Sequence, residues 1–228
     1  MELLFKNTVS AERQLKDNEY IRFTDANNSG VRVMFLGNSI TLHGIKPDIG
    51  WHNFWGMAAS AEEKDYVHIL MRYIRNIDSN AAFCVCQGSK WEVNYLSNID
   101  FYSEYASARD FGADIIIVRL IENCDAVGFN GKKFKEELMH FIKYLSGEKS
   151  PKIILTTSFW RHTGDLAIAQ LAEDRHLPLV ELGDLGENKE MMAIGLFEHE
   201  GVSIHPGDKG MQYIADRIFK CIKENNIL

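Results

Sequence analysis

Five short apolar runs, each followed by a stretch with helical spacing, constrain this chain more than any other feature. Val31–Leu36 is largely apolar and closed by Gly37, and Ala81–Gln87 stops at Gly88. Asp114–Leu120, Lys152–Thr157 and Leu179–Leu182 repeat the pattern. Runs this short and this apolar read as strands buried on both faces. Between them, Tyr66, Ile69, Leu70, Tyr73, Ile74 and Ile77 fall on one face of a helix predicted over 62–77. Phe134, Leu138, Phe141, Ile142 and Leu145 line another, and residues 100–111 and 164–176 also read as helix. A last helix, from about Gly207 to Ile222, turns Met211, Ile214, Ala215, Ile218 and Ile222 inward. Strands alternating with helices predict a parallel sheet covered on both faces. Right-handed crossovers send every strand's C-terminal end to the same edge, where a site forms near a topological switch point. The loops that follow strands are therefore the places to look for chemistry.

Residues 1–30 differ from the rest. They are polar, weakly periodic and closed by Asn27-Asn28-Ser29-Gly30, a turn signal. They read as an N-terminal extension, with a short strand at Tyr20–Phe23, ahead of one domain over 31–228. Lys plus Arg is 25 against 32 for Asp plus Glu, a net charge of −7. That balance disfavours nucleic acid and anionic membrane surfaces as partners. Met1–Lys6 lacks the basic start and long apolar core of a signal peptide, and no run approaches the roughly 18 apolar residues of a membrane helix. A cytoplasmic protein with reduced thiols is expected. Cys84, Cys86, Cys124 and Cys221 are too few for a disulfide framework. Cys84-Val85-Cys86 has the wrong spacing for a zinc site, and His199-Glu200 meets Ser203 where a metalloprotease needs its second histidine. No metal or organic cofactor is expected, and a homo-oligomer is left open.

Two short motifs carry the chemistry. Gly37-Asn38-Ser39-Ile40-Thr41 follows the first of the five strands. Gly37 lets the chain turn so that Ser39 can present its hydroxyl, which needs a base before it becomes a nucleophile. A turn that merely caps the next segment is the plainer reading of these five residues alone. The second motif is Ser203-Ile204-His205-Pro206-Gly207-Asp208-Lys209-Gly210-Met211. Pro206 starts a helix more readily than it continues a strand, so His205 sits on a short loop before the last helix.

Together these motifs resemble the SGNH or GDSL-type serine hydrolases, a family of esterases, acylhydrolases and carbohydrate deacetylases. The resemblance spans roughly residues 31–223. Trp55-Gly56-Met57-Ala58-Ala59-Ser60 followed by Lys64-Asp65-Tyr66-Val67-His68 also looks like a bacterial branch of it. It implies a flavodoxin-like three-layer α/β/α sandwich, here with a five-stranded parallel sheet. It further implies Ser39 as nucleophile, His205 as general base, and an oxyanion hole built from the Ser39 N–H, the Gly88 N–H and the Asn123 amide. The implied reaction removes a short acyl group, acetyl first, from a polar or saccharide ester.

The pattern breaks in two places. The family's Gly-x-Asn-Asp reads Ile121-Glu122-Asn123-Cys124, and Val202 stands where an Asp often precedes the histidine by three residues. Either a backbone carbonyl holds His205, giving a dyad, or Glu198 or Glu200 completes a triad; the carbonyl is favoured. All four tryptophans follow strands, so Trp51, Trp91 and Trp160, with Arg119, are the expected substrate-binding residues. Glu122, Arg161 and His162 fall near the same edge, as substrate contacts or as a structural ion-pair set. Two other readings stand beside the esterase. One is a flavodoxin-like electron carrier with FMN phosphate at the first loop. The other is a catalytically degenerate, glycan-binding homologue.

Overall fold

The computed structural model describes residues 20–97 and 102–228. Most of the expected extension, and the start of the helix expected over 100–111, lie outside the described residues. Six strands are present: β1 (Ile21–Thr24), β2 (Arg32–Gly37), β3 (Ala82–Gln87), β4 (Ile115–Arg119), β5 (Lys152–Thr156) and β6 (Leu179–Val180). They form one sheet in the order β1-β3-β2-β4-β5-β6. Strands β2 to β6 pair in parallel. β1 pairs antiparallel with β3, Ile21 opposite Cys86. The expected five-stranded parallel sheet is therefore a six-stranded, mostly parallel one. The strand at the end of the extension adds itself to the free edge of β3.

The helices are α1 (Tyr66–Arg75), α2 (Ser89–Asn94), α3 (Ala106–Phe111), α4 (Gly131–Ser146), α5 (Asp165–Arg175), α6 (Glu200–Ser203) and α7 (Asp208–Glu224). α1 starts at the first residue of its apolar spacing rather than at 62, because Asp65 caps it by accepting the His68 N–H at 2.7 Å. α2 and α6 are too short to show a period in sequence.

Alternate residues of the central strands feed two cores. Met34, Leu36, Ile116 and Val118 pack against α3, α4 and α5. Val33, Phe35, Ile115 and Ile117 pack against α1 and α7. This burial on both faces explains why the strands read as unbroken apolar runs. The four cysteines are buried and free. Among the described residues, no helix is long and apolar enough to cross a membrane.

From β2 the chain moves first to β3 on one side and later to β4 on the other, so the C-terminal end of β2 is the switch point. Gly37 lies opposite Gln87 on one side and Arg119 on the other. The loops after β2, β3 and β4 thus leave the sheet level with one another.

Candidate active site

Ser39 lies two residues beyond β2. A Cβ on Gly37 would sit 1.8 Å from Thr41 Oγ1 and 3.2 Å from the Arg119 carbonyl oxygen, so the turn admits only glycine there. The Asn38 carbonyl closes the turn by accepting the Thr41 and Leu42 N–H groups at 2.9 and 3.0 Å. Met57 N–H donates to the Ser39 carbonyl at 2.9 Å. The half-buried Ser39 hydroxyl then lies 2.8 Å from His205 Nε2.

His205 is set by the segment between α6 and α7, with Gly207 as the N-cap of α7. Its Nδ1 lies 2.6 Å from the Gly201 carbonyl oxygen. A carbonyl only accepts, so the Nδ1 site carries the proton and Nε2 is left as an acceptor facing Ser39. Burial lowers the His205 pKa to about 4, with the Gly201 carbonyl opposing and Arg119 and His43 adding to the fall. The ring is a free base at neutral pH. Glu198 and Glu200 are exposed, and neither is a hydrogen-bond partner of this ring. α6 offers it a main-chain carbonyl instead.

Beneath the serine lies a buried polar network. Arg119 Nη1 donates to Glu122 Oε1 at 2.6 Å and Nη2 to Asn38 Oδ1 at 2.5 Å. Asn38 Nδ2 donates to Glu122 Oε2 at 2.7 Å and to Glu92 Oε1 at 3.1 Å. Glu122 Oε1 also accepts the Phe159 N–H at 2.9 Å. Asn123 Nδ2 donates to Glu92 Oε2 at 2.6 Å. One of its two amide hydrogens is thereby taken and one is left.

Several expectations need correction. The Gly88 N–H is not open to an oxyanion, because it donates to the Gly37 carbonyl at 2.5 Å and so extends the β2–β3 ladder. The site is also tightly packed, as a Cβ there would come within 3.1 Å of the Leu120 side chain and 3.2 Å of that of Leu36. Trp51 and Trp91 have no face for a sugar. Trp51 is wedged among Met57, Val202 and Phe197, and Trp91 stacks on Phe141 in the core. Arg119 is likewise 0% exposed and touches no solvent. Of the three tryptophans expected at the site, Trp160 is the partly exposed one, edge-on to His205 with ring centres 5.0 Å apart. Arg161 pairs with Glu187, and His162 lies 3.2 Å from the Cys124 carbonyl oxygen.

Sequence reasoning passed over Asn38, His43 and Glu92. Asn38 was readable as a neighbour of Ser39. Glu92 carries no motif: only a charged residue four places after Gly88, on a segment otherwise headed into the core, hinted at it.

No protein-family model matches the sequence, and neither does any curated protein. Solved structures match the fold. A two-domain esterase active on acetylated mannans aligns at a TM-score of 0.55 and 17% identity, over 88% of this chain and 50% of that one. The psychrotrophic esterase EstA from Pseudoalteromonas, inhibited by monoethylphosphonate, aligns at 0.53 and 15%, over 86% and 98% of the two chains. An acetyl xylan esterase aligns at 0.51 and 17%, over 84% and 100%. The chain thus spans half the length of the mannan esterase. The likeness is one of fold: a mostly parallel sheet between helical layers, six-stranded in this chain, consistent with the flavodoxin-like fold of SGNH type.

Proposed function

We propose that the protein is a serine esterase that removes a short acyl group, acetyl first, from a polar carbohydrate substrate. One contact carries this assignment: Ser39 Oγ is 2.8 Å from a neutral His205 whose other nitrogen faces the Gly201 carbonyl. His205 Nε2 takes the hydroxyl proton as Ser39 attacks the ester carbonyl. The Ser39 N–H, free of partners among the described residues, and the remaining Asn123 N–H receive the developing oxyanion. The imidazolium returns its proton to the leaving alcohol, and water, activated by the same nitrogen, releases the acyl group. The Gly201 carbonyl steadies the transient cation in place of a carboxylate. A flavin carrier would leave this pairing without a purpose.

The acetyl preference draws on the folds shared with esterases of acetylated mannan and acetyl xylan. The purified protein should release acetate from acetylated manno- or xylo-oligosaccharides and hydrolyse a chromogenic acetyl ester. An activated phosphonate ester should label Ser39. Absence of both turnover and labelling would sink the assignment. Trp160 is the one predicted sugar platform left at the site. Trp160→Ala should raise KM on the oligosaccharide more than on the small ester, and equal changes would remove that role.

A further inference from the structure

We propose that Glu92 is a positioning residue of the oxyanion site, clamping the Asn123 carboxamide so that its second N–H is held ready for the developing charge. This rests on the esterase reading given above.

Glu92 is 0% exposed, on the short helix α2 just after β3. A carboxyl in such a place is costly unless several donors meet it. Three do. Asn38 Nδ2 and Ile121 N–H reach Oε1 at 3.1 and 2.5 Å, and Asn123 Nδ2 reaches Oε2 at 2.6 Å. They come from the loops after β2 and β4, which carry the nucleophile on one side and the oxyanion donor on the other. Among the described residues Glu92 pairs with no cation; the guanidinium of Arg119 goes to Glu122. Glu92 is therefore not one half of a structural salt bridge, and its side-chain hydrogen bonds all go to the two loops that carry Ser39 and Asn123.

Asn123 is itself exposed. Without a clamp its amide would rotate, presenting oxygen as readily as nitrogen. A carboxylate only accepts, so it fixes nitrogen inward and leaves the second hydrogen of that nitrogen for substrate. The groups facing Glu92 are Glu122 and Cys124 on the loop after β4 and Tyr105 just ahead of α3, while Arg119 at the end of β4 is joined to it only through Asn38. Burial and the Glu122 charge push the Glu92 carboxyl up to about 7, with the Asn123, Asn38 and Ile121 hydrogen bonds opposing. The clamp is present when this carboxyl is ionised and is lost as pH falls through that value.

The test is a double-mutant cycle on a chromogenic acetyl ester, with kcat and KM measured for wild type, Asn123→Ala, Glu92→Gln and the pair. Asn123→Ala should lower kcat by about 10²–10³, the usual cost of one oxyanion donor, with KM little changed. Glu92→Gln turns an NH2 toward Asn123 or drops the Ile121 contact, and should lower kcat by about tenfold or more within that ceiling. The double variant should be no worse than Asn123→Ala, because Glu92 acts through Asn123. Factors that multiply in full overturn the proposal, as does an unchanged kcat in Glu92→Gln. Should Glu92→Gln not fold, the exposed Asn123→Ala still decides. The wild-type acid limb of kcat near neutrality should vanish in that variant, and the same limb in both overturns the clamp. If Asn123→Ala matches wild type throughout, the oxyanion assignment beneath the proposal is what has failed.

Discussion

Ser39→Ala should lower kcat/KM on a chromogenic acetyl ester by about 10⁴-fold or more, and His205→Ala should cost nearly as much. On the proposed mechanism the two groups, 2.8 Å apart, act as one unit, so the double variant should be scarcely worse than either single one. The same assay settles how the base is held. A carboxylate that orients a catalytic histidine costs about 10⁴ in kcat when changed to its amide, because the wrong tautomer results. Here Nδ1 faces the Gly201 carbonyl at 2.6 Å, and side-chain substitution cannot remove a main-chain oxygen. Glu198→Gln and Glu200→Gln should each keep most of kcat, and a loss beyond roughly a hundredfold in either would restore a triad. Residual Ser39→Ala turnover equal to wild type would dismiss the nucleophile altogether.

The parts legible in sequence share one property: their cause is local. Strand β2 announced itself through a run of apolar residues buried on both faces, and Gly37 through a turn that admits no Cβ. Ser39 and His205 stood out because each follows from a motif at a predictable place on the sheet edge. What stayed hidden depends on contacts between distant segments. Trp51 and Trp91 follow strands just as Trp160 does, yet only packing against Phe197 and Phe141 decides that the first two are core. Gly88 sits where an oxyanion donor was expected. Its N–H is spent on Gly37, a ladder bond whose existence depends on register rather than on composition. The Glu92–Asn123 and Arg119–Asn38 contacts join residues 31 and 81 positions apart. The strand at Ile21–Thr24 was visible, but not that it runs antiparallel along β3.

Arg119→Met should destabilise the fold by about 3–5 kcal/mol, a fall in Tm of roughly 10 °C. Arg119 is fully buried, and its guanidinium is the cation that faces Glu122 and holds Asn38. Methionine matches the stem in volume and removes the one unpartnered Arg119 nitrogen, Nε. It leaves Glu122 buried without its cation, however, with the Glu92 carboxyl as a like-charged neighbour. Breaking one partner of a buried pair costs more than the pair itself contributes, since the survivor keeps its desolvation penalty. The pH dependence follows. Buried carboxyls without a cation hold their protons more tightly than glutamates of the unfolded chain, which titrate near about 4.3. Above that pH the folded variant binds more protons than the unfolded chain, so its stability falls as pH rises. The Tm deficit against wild type should be largest near pH 8 and shrink toward pH 5. Adding Glu122→Gln should recover part of it by removing the stranded charge. A deficit that is flat across this range, or that Glu122→Gln leaves untouched, would mean that lost packing and not charge explains the effect.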